Sequence, residues 1–135
     1  MGRRIPLRLQ QLSRRVVLLL ALAGCSNAEQ PATLAFEAAG RLEDSQIREA
    51  SGIARSQREA GVLWVINDSG AKEILYAVDG TGASLGRTEL KKSSNKDWED
   101  LASFELDGDP YLMVADIGDN DARYKSRKLY FLKEP

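Results

Sequence analysis

Short apolar runs, each closed by Gly, Asn, Asp or Ser, dominate the chain from Ile47 onward. Val62–Ile66 (VLWVI) ends on Asn67-Asp68-Ser69-Gly70, and Ile74–Val78 (ILYAV) ends on Asp79-Gly80-Thr81-Gly82. Tyr111–Ala115 (YLMVA) and Leu129–Leu132 (LYFL) are two more such runs. Their length, β-branched and aromatic content and turn punctuation predict strands. Asp79-Gly80 and Asp107-Gly108 are hairpin-type turns. Two stretches point the other way. Leu34–Leu42 alternates poorly and its alanines suit a helix, and Asp44–Ala60 reads locally as an amphipathic helix with an acidic start. Gly52 weakens that helix by about 1 kcal/mol relative to Ala.

The strands repeat. Ile53-Ala54 corresponds to Leu101-Ala102 at an offset of 48, Leu63–Asn67 to Leu112–Asp116 at 49, and Leu75-Tyr76 to Leu129-Tyr130 at 54. The extra residues of the last step fall in the loop from Asp119 to Lys128. Several short strands per unit at a period of about 40–50 residues are the pattern of β-propeller blades. The fold expected is therefore all-β, with antiparallel blade-like repeats over about 47–82 and 97–135 in a domain covering 34–135.

The first residues have a different character. Arg3, Arg4, Arg8, Arg14 and Arg15 precede an unbroken apolar stretch, Val16–Ala23, with no acidic residue among them. A spanning helix needs about 20 apolar residues, so this stretch reads as the core of an export signal over residues 1–24. Leu22-Ala23-Gly24-Cys25 resembles the lipobox of bacterial lipoproteins. That resemblance implies cleavage between Gly24 and Cys25 and lipidation of Cys25, with acyl chains (palmitate among them) holding the domain at a membrane at ~0.8 kcal/mol per buried CH₂. Ser26 stands where Asp would imply inner-membrane retention, so the resemblance favours the periplasmic side of the outer membrane in the cell envelope. Ser13–Leu18 partly resembles a twin-arginine export motif; Sec export is the default. Residues 25–33, small and polar with Pro31, form a flexible tether.

Composition then narrows the chemistry. There are 135 residues with 43% apolar and 29% charged side chains, one Cys and no His. Without His there is no Ser-His-Asp or Cys-His machinery and no imidazole base. One Cys forms no internal disulfide. Cleavage of the signal removes five arginines and no acid, leaving an acidic domain unsuited to nucleic acid, whose phosphates demand clustered Lys and Arg.

The series Ser51–Ala54 (SGIA), Asn67–Gly70 (NDSG), Asp97–Ala102 (DWEDLA) and Ala115–Asn120 (ADIGDN) resembles a family of bacterial secreted and lipoprotein β-propellers. These are related in architecture to gluconolactonase-type, phytase-type and "SdiA-regulated" propellers. The resemblance spans about Glu49–Pro135, and family members run much longer, so a truncated propeller of about two blades is the expectation. Propeller strands converge on an axial channel, and several resembling enzymes hold an axial Ca²⁺ there. Asp68, Asp97, Glu99, Asp100, Asp116 and Asp119 all adjoin predicted strand ends, and carboxylate oxygens suit Ca²⁺. Turn capping by Asp is the alternative for each. Arg123 is expected to pair with Asp116 or Asp119, Trp98 to pack between blades, and Trp64 to lie in the core. Three functions remain open: a non-enzymatic envelope module binding a protein or small-molecule ligand, a Ca²⁺-dependent hydrolase of the lactonase or phosphoesterase kind, and a non-functional fragment.

Overall fold

The computed structural model describes residues 34–135; the expected export signal with Gly24, the expected lipidation site at Cys25 and the expected tether lie outside the described residues. Seven strands follow in order: β1 (Ala50–Arg55), β2 (Leu63–Asn67), β3 (Ile74–Val78), β4 (Ser84–Glu89), β5 (Trp98–Leu106), β6 (Asp109–Asp116) and β7 (Lys128–Lys133). They form two antiparallel meanders, a four-stranded sheet ordered β1-β2-β3-β4 and a three-stranded sheet ordered β5-β6-β7. The described residues are all-β, with no helix.

Both helical expectations are corrected. Residues 34–42 carry no regular element, and Asp44–Ala60 yields β1. The local period lost to tertiary pairing: β1 hydrogen-bonds along β2 from Ala50/Asn67 to Arg55/Leu63. Gly52 has a packing reason as well. A Cβ there would lie 2.7 Å from the backbone nitrogen of Leu101, so β1 and β5 approach at a distance only glycine permits. β4 carried no sequence signal, because every residue of SLGRTE except Thr88 is exposed on a sheet edge.

The two sheets repeat one register. Ile53 pairs with Val65 and Val65 with Tyr76; at the repeat positions Leu101 pairs with Val114 and Val114 with Tyr130. The irregularity between Ala50 and Gly52 in β1 recurs between Trp98 and Asp100 in β5, again at the offset of 48. A bulge kept at the same position in both units is stronger evidence of repetition than the apolar matches alone.

The core lies between the sheets. Ala54, Trp64, Ile66, Leu75 and Ala77 from the first pack on Trp98, Leu101, Leu112 and Val114 from the second. Trp98, fully buried, meets Tyr130 in a tilted aromatic pair with centroids 6.3 Å apart. A smaller cluster of Val65, Tyr76 and Val78 occupies the opposite face of the first sheet, under Ile47. The segment bearing Ile47 is held there by backbone bonds from Arg41 and Glu43 to Thr81 and Gly82.

Candidate functional site

Each sheet ends its second strand on a buried amide or acid that clamps the chain entering its first strand. In the first sheet Asn67 Oδ1 accepts the backbone N–H groups of Arg48 and Glu49, at 3.1 and 3.3 Å. In the second, Asp116 Oδ1 accepts the backbone N–H of Asp97 at 2.8 Å. Glu49 and Asp97 are repeat equivalents, so this clamp belongs to the fold. It leaves the Asp97 side chain aimed away from its own backbone.

That orientation, together with the bulge in β5, assembles a carboxylate triad. Glu99 is the bulged residue, without a cross-strand partner in β6, and a bulge re-aims a side chain. One oxygen each from Asp68, Asp97 and Glu99 lies within 4.8 Å of the other two. Asp68 follows β2 of the first sheet, whereas Asp97 precedes β5 of the second and Glu99 lies within it, so the triad spans both. Asn95 Nδ2 fixes the Asp68 side of it by donating to the carbonyls of Asn67 and Asp68, at 3.2 and 2.7 Å. Gly118 closes over the triad: a Cβ there would collide with Glu99 Oε1 and Asp97 Cγ.

Asp97 is buried while Asp68 and Glu99 are half-buried. Burial pushes the Asp97 carboxyl above its ordinary value, helped by a hydrogen bond and negative charge from Asp68 and by the charges of Asp116 and Asp119. Burial also raises Glu99, with Asp68 and Asp97 adding to it. Among the described residues no Lys or Arg forms an ion pair with Asp68, Asp97 or Glu99; the pairs formed are Arg87–Asp44, Arg123–Asp121, Arg127–Asp119 and Lys133–Asp109.

Of the six sequence candidates, the structure brings together Asp68, Asp97 and Glu99. Asp116 is engaged in the backbone clamp. Asp100 is exposed and accepts the N–H of Leu101. Asp119 is a turn cap, accepting N–H groups of Arg123 and Tyr124 and pairing with the Arg127 guanidinium at 2.8 Å. The expected partnership of Arg123 is corrected here, since its guanidinium reaches Asp121 and the residue meets Asp119 only through its backbone.

The triad fits a hard divalent cation. Oxygens on opposite sides of Ca²⁺ stand about 4.6–5.2 Å apart, given Ca–O distances of about 2.3–2.6 Å. All three donors are carboxylates, and the glycine above them leaves no Cβ in the way. Asp68 also borders a cleft of about 600 Å³, lined further by Arg48, Lys72, Ile74 and Tyr76.

Sequence reasoning missed a second polar centre at the opposite end of the strands. Glu134, directly after β7, is buried and accepts hydrogen bonds from Ser56 Oγ, from Trp64 Nε1 at 2.8 Å and from the backbone N–H groups of Gln57 and Arg58. The signal available was Trp64: an indole N–H inside a buried strand needs an acceptor. No protein-family model, curated protein or solved structure matches the chain.

Proposed function

We propose that this chain is an exported, lipid-anchored protein of the cell envelope, acylated at Cys25, whose repeated sheets are blades of a propeller-type binding module. In this reading a divalent cation of the Ca²⁺ kind joins adjacent blades at Asp68, Asp97 and Glu99. One observation carries the cation: three carboxylates from two sheets converge within 4.8 Å, and among the described residues none of them is in an ion pair. Like charges held this close oppose folding, and a divalent ion reverses the sign of that contribution. Export and anchoring rest on the basic start, the apolar core and the LAGC sequence. The module's ligand is a protein or a small molecule, and the acidic balance of the domain argues against nucleic acid.

The cleft beside Asp68 favours a second reading, a Ca²⁺-dependent hydrolase. A bound cation there would polarise a ligand oxygen at the cleft edge, while Glu99 or Asp97 would serve as base.

Thermal unfolding of the chain from Cys25 onward, with Cys25 replaced by Ser, tests the cation. A hundredfold excess of Ca²⁺ over Kd contributes about 2.7 kcal/mol, a rise of several degrees in Tm. The variant carrying both Asp68→Asn and Glu99→Gln loses that rise. An unchanged Tm in the parent, or the same rise in the variant, contradicts the reading.

A further inference from the structure

The connection from β2 to β3, Asp68–Glu73, is short, and beside it lies the cleft of about 600 Å³ that Asp68 borders. Arg48, from the chain before β1, and Lys72, from this connection, both line it. Ile74 and Tyr76 give it an apolar wall, Ile74 packing against the buried Tyr76. One buried amide fixes the frame. Asn67 accepts the Arg48 backbone N–H at 3.1 Å and donates through Nδ2 to the Gln46 carbonyl at 2.7 Å. The Lys72 carbonyl in turn accepts the Ile74 N–H at 2.8 Å. The cleft is therefore preformed, and its volume falls within the range of about 300–1,000 Å³ usual for small-molecule sites.

The second sheet uses the same place differently. At the offset of 48, Lys96 is the equivalent of Arg48, and its Nζ lies 5.4 Å from the centroid of the Tyr124 ring. That tyrosine belongs to the longer connection Ile117–Arg127, whose own Arg127 pairs with Asp119 at 2.8 Å. Cations at this end of the second sheet are thus satisfied from within it. In the first sheet the connection Asp68–Glu73 contains no aromatic residue. Glu49 and Asp68 line the cleft too, yet among the described residues neither Arg48 nor Lys72 forms an ion pair. Asp68 is committed to the carboxylate triad instead.

We propose that this cleft binds a small organic anion, its carboxylate or phosphate group held by Arg48 and Lys72 and its apolar body lying against Ile74 and Tyr76. A guanidinium fork meets either oxyanion with two parallel hydrogen bonds, and an ammonium adds a point charge with rotatable donors. The apolar wall distinguishes an organic ligand from a bare inorganic anion, which would leave Ile74 and Tyr76 facing water. The inference names the ligand class of the binding module proposed above and rests on that reading, but not on its cation.

The test is an amide-shift titration of the isotope-labelled full chain with phenylacetate, phenyl phosphate and benzyl alcohol, which share a ring and differ in charge. At least one of the two anions is expected to shift the amides of residues 46–49 and 69–76 in a single saturable transition, and the tighter of the two tells carboxylate from phosphate. Arg48→Gln and Lys72→Gln are each expected to weaken that binding about tenfold, the share of a charge-assisted hydrogen bond. Lys125→Gln, in the connection of the second sheet, is expected to leave it unchanged. Both cleft cations are exposed, so their variants are expected to keep the parent's Tm. Benzyl alcohol binding as tightly as the anions overturns the proposal. So does equal binding by the parent and the variant carrying both Arg48→Gln and Lys72→Gln, or the lack of a saturable shift up to about 10 mM ligand. The titration is run without Ca²⁺ and the effect of Ca²⁺ on Tm is read separately, so loss of the cation reading and loss of this one are distinguishable.

Discussion

Glu134 accepts the indole N–H of Trp64 at 2.8 Å across 70 positions of sequence. The bond ties the residue following β7 to the start of β2, so the last described strand of the second sheet fastens the first. Ser56 Oγ and the N–H groups of Gln57 and Arg58 complete the acceptor's coordination, and Arg58 also donates to the Glu134 carbonyl at 3.3 Å. Glu134→Ala leaves the buried Trp64 indole N–H and Ser56 hydroxyl without this acceptor, while the Arg58 N–H keeps Ser56 Oγ. The expected cost is about 2–3 kcal/mol, measured by urea unfolding at neutral pH. Glu134→Gln keeps one acceptor oxygen and is expected to fall between Ala and parent. A loss below about 0.5 kcal/mol for Ala would show that the network carries no stability.

The same residue sets an acid limb. Burial works against its ionised form, but the hydrogen bonds from Ser56, Trp64, Gln57 and Arg58 outweigh it and hold the Glu134 carboxyl below the ordinary 4.5. A depressed carboxyl contributes stability that is complete above the ordinary value and lost as pH falls through the folded one. The stability difference between parent and Glu134→Gln is therefore expected to be constant from neutral pH down to about 5 and to shrink below it. Working with the difference cancels Asp97 and Glu99, whose raised carboxyls act in the opposite sense. A difference that grows on acidification contradicts the assignment.

Gly52 tests the closeness of β1 and β5. Gly52→Ala places a methyl 2.7 Å from the Leu101 nitrogen and 2.9 Å from the Asp100 carbonyl carbon, and neither backbone atom can swing aside. Overpacking of this sort costs about 1–3 kcal/mol. Gly61→Ala, at an exposed turn with nothing within 4 Å, is the control, where only the strain of its positive φ of 85° is expected. Equal Tm shifts for the two would mean that the strands do not approach as described.

Core and surface are expected to respond oppositely. Leu112→Ala removes a fully buried side chain between the sheets, at about 2–5 kcal/mol. Phe131→Ser removes an exposed side chain of β7 and is expected to change stability by less than about 1 kcal/mol in the chain of 135 residues. Chemical denaturation of both variants decides this, and a larger loss for Phe131→Ser would mean that its side chain is not exposed as described.

Much of the fold was legible in the sequence because the buried strands are nearly continuous apolar runs closed by Asn, Asp and Gly. LWVIN, ILYAV and YLMVA all became strands. The turn at Asp107-Gly108 was equally legible, and both residues adopt positive φ, 53° and 80°. β1 was obscured because its pattern, buried at Gly52 and Ala54 but exposed at Ile53 and Arg55, uses small residues that hydrophobicity barely registers. Among the acids, residue type located the region but not the members. Asp97 and Glu99 are selected over Asp100 by a bulge, and Asp116 is withdrawn by a backbone N–H; neither feature is visible until the register is known.

The central claim is a cation shared by the two sheets at Asp68, Asp97 and Glu99. Terbium luminescence tests it most directly, because Trp98 lies between two of the ligands in sequence and is available as the sensitiser. Excitation of tryptophan is expected to give Tb³⁺ emission that saturates at one ion per chain, is displaced by Ca²⁺ and is abolished by Asp68→Asn with Glu99→Gln. Absence of sensitised emission, or emission that survives both substitutions, contradicts the account.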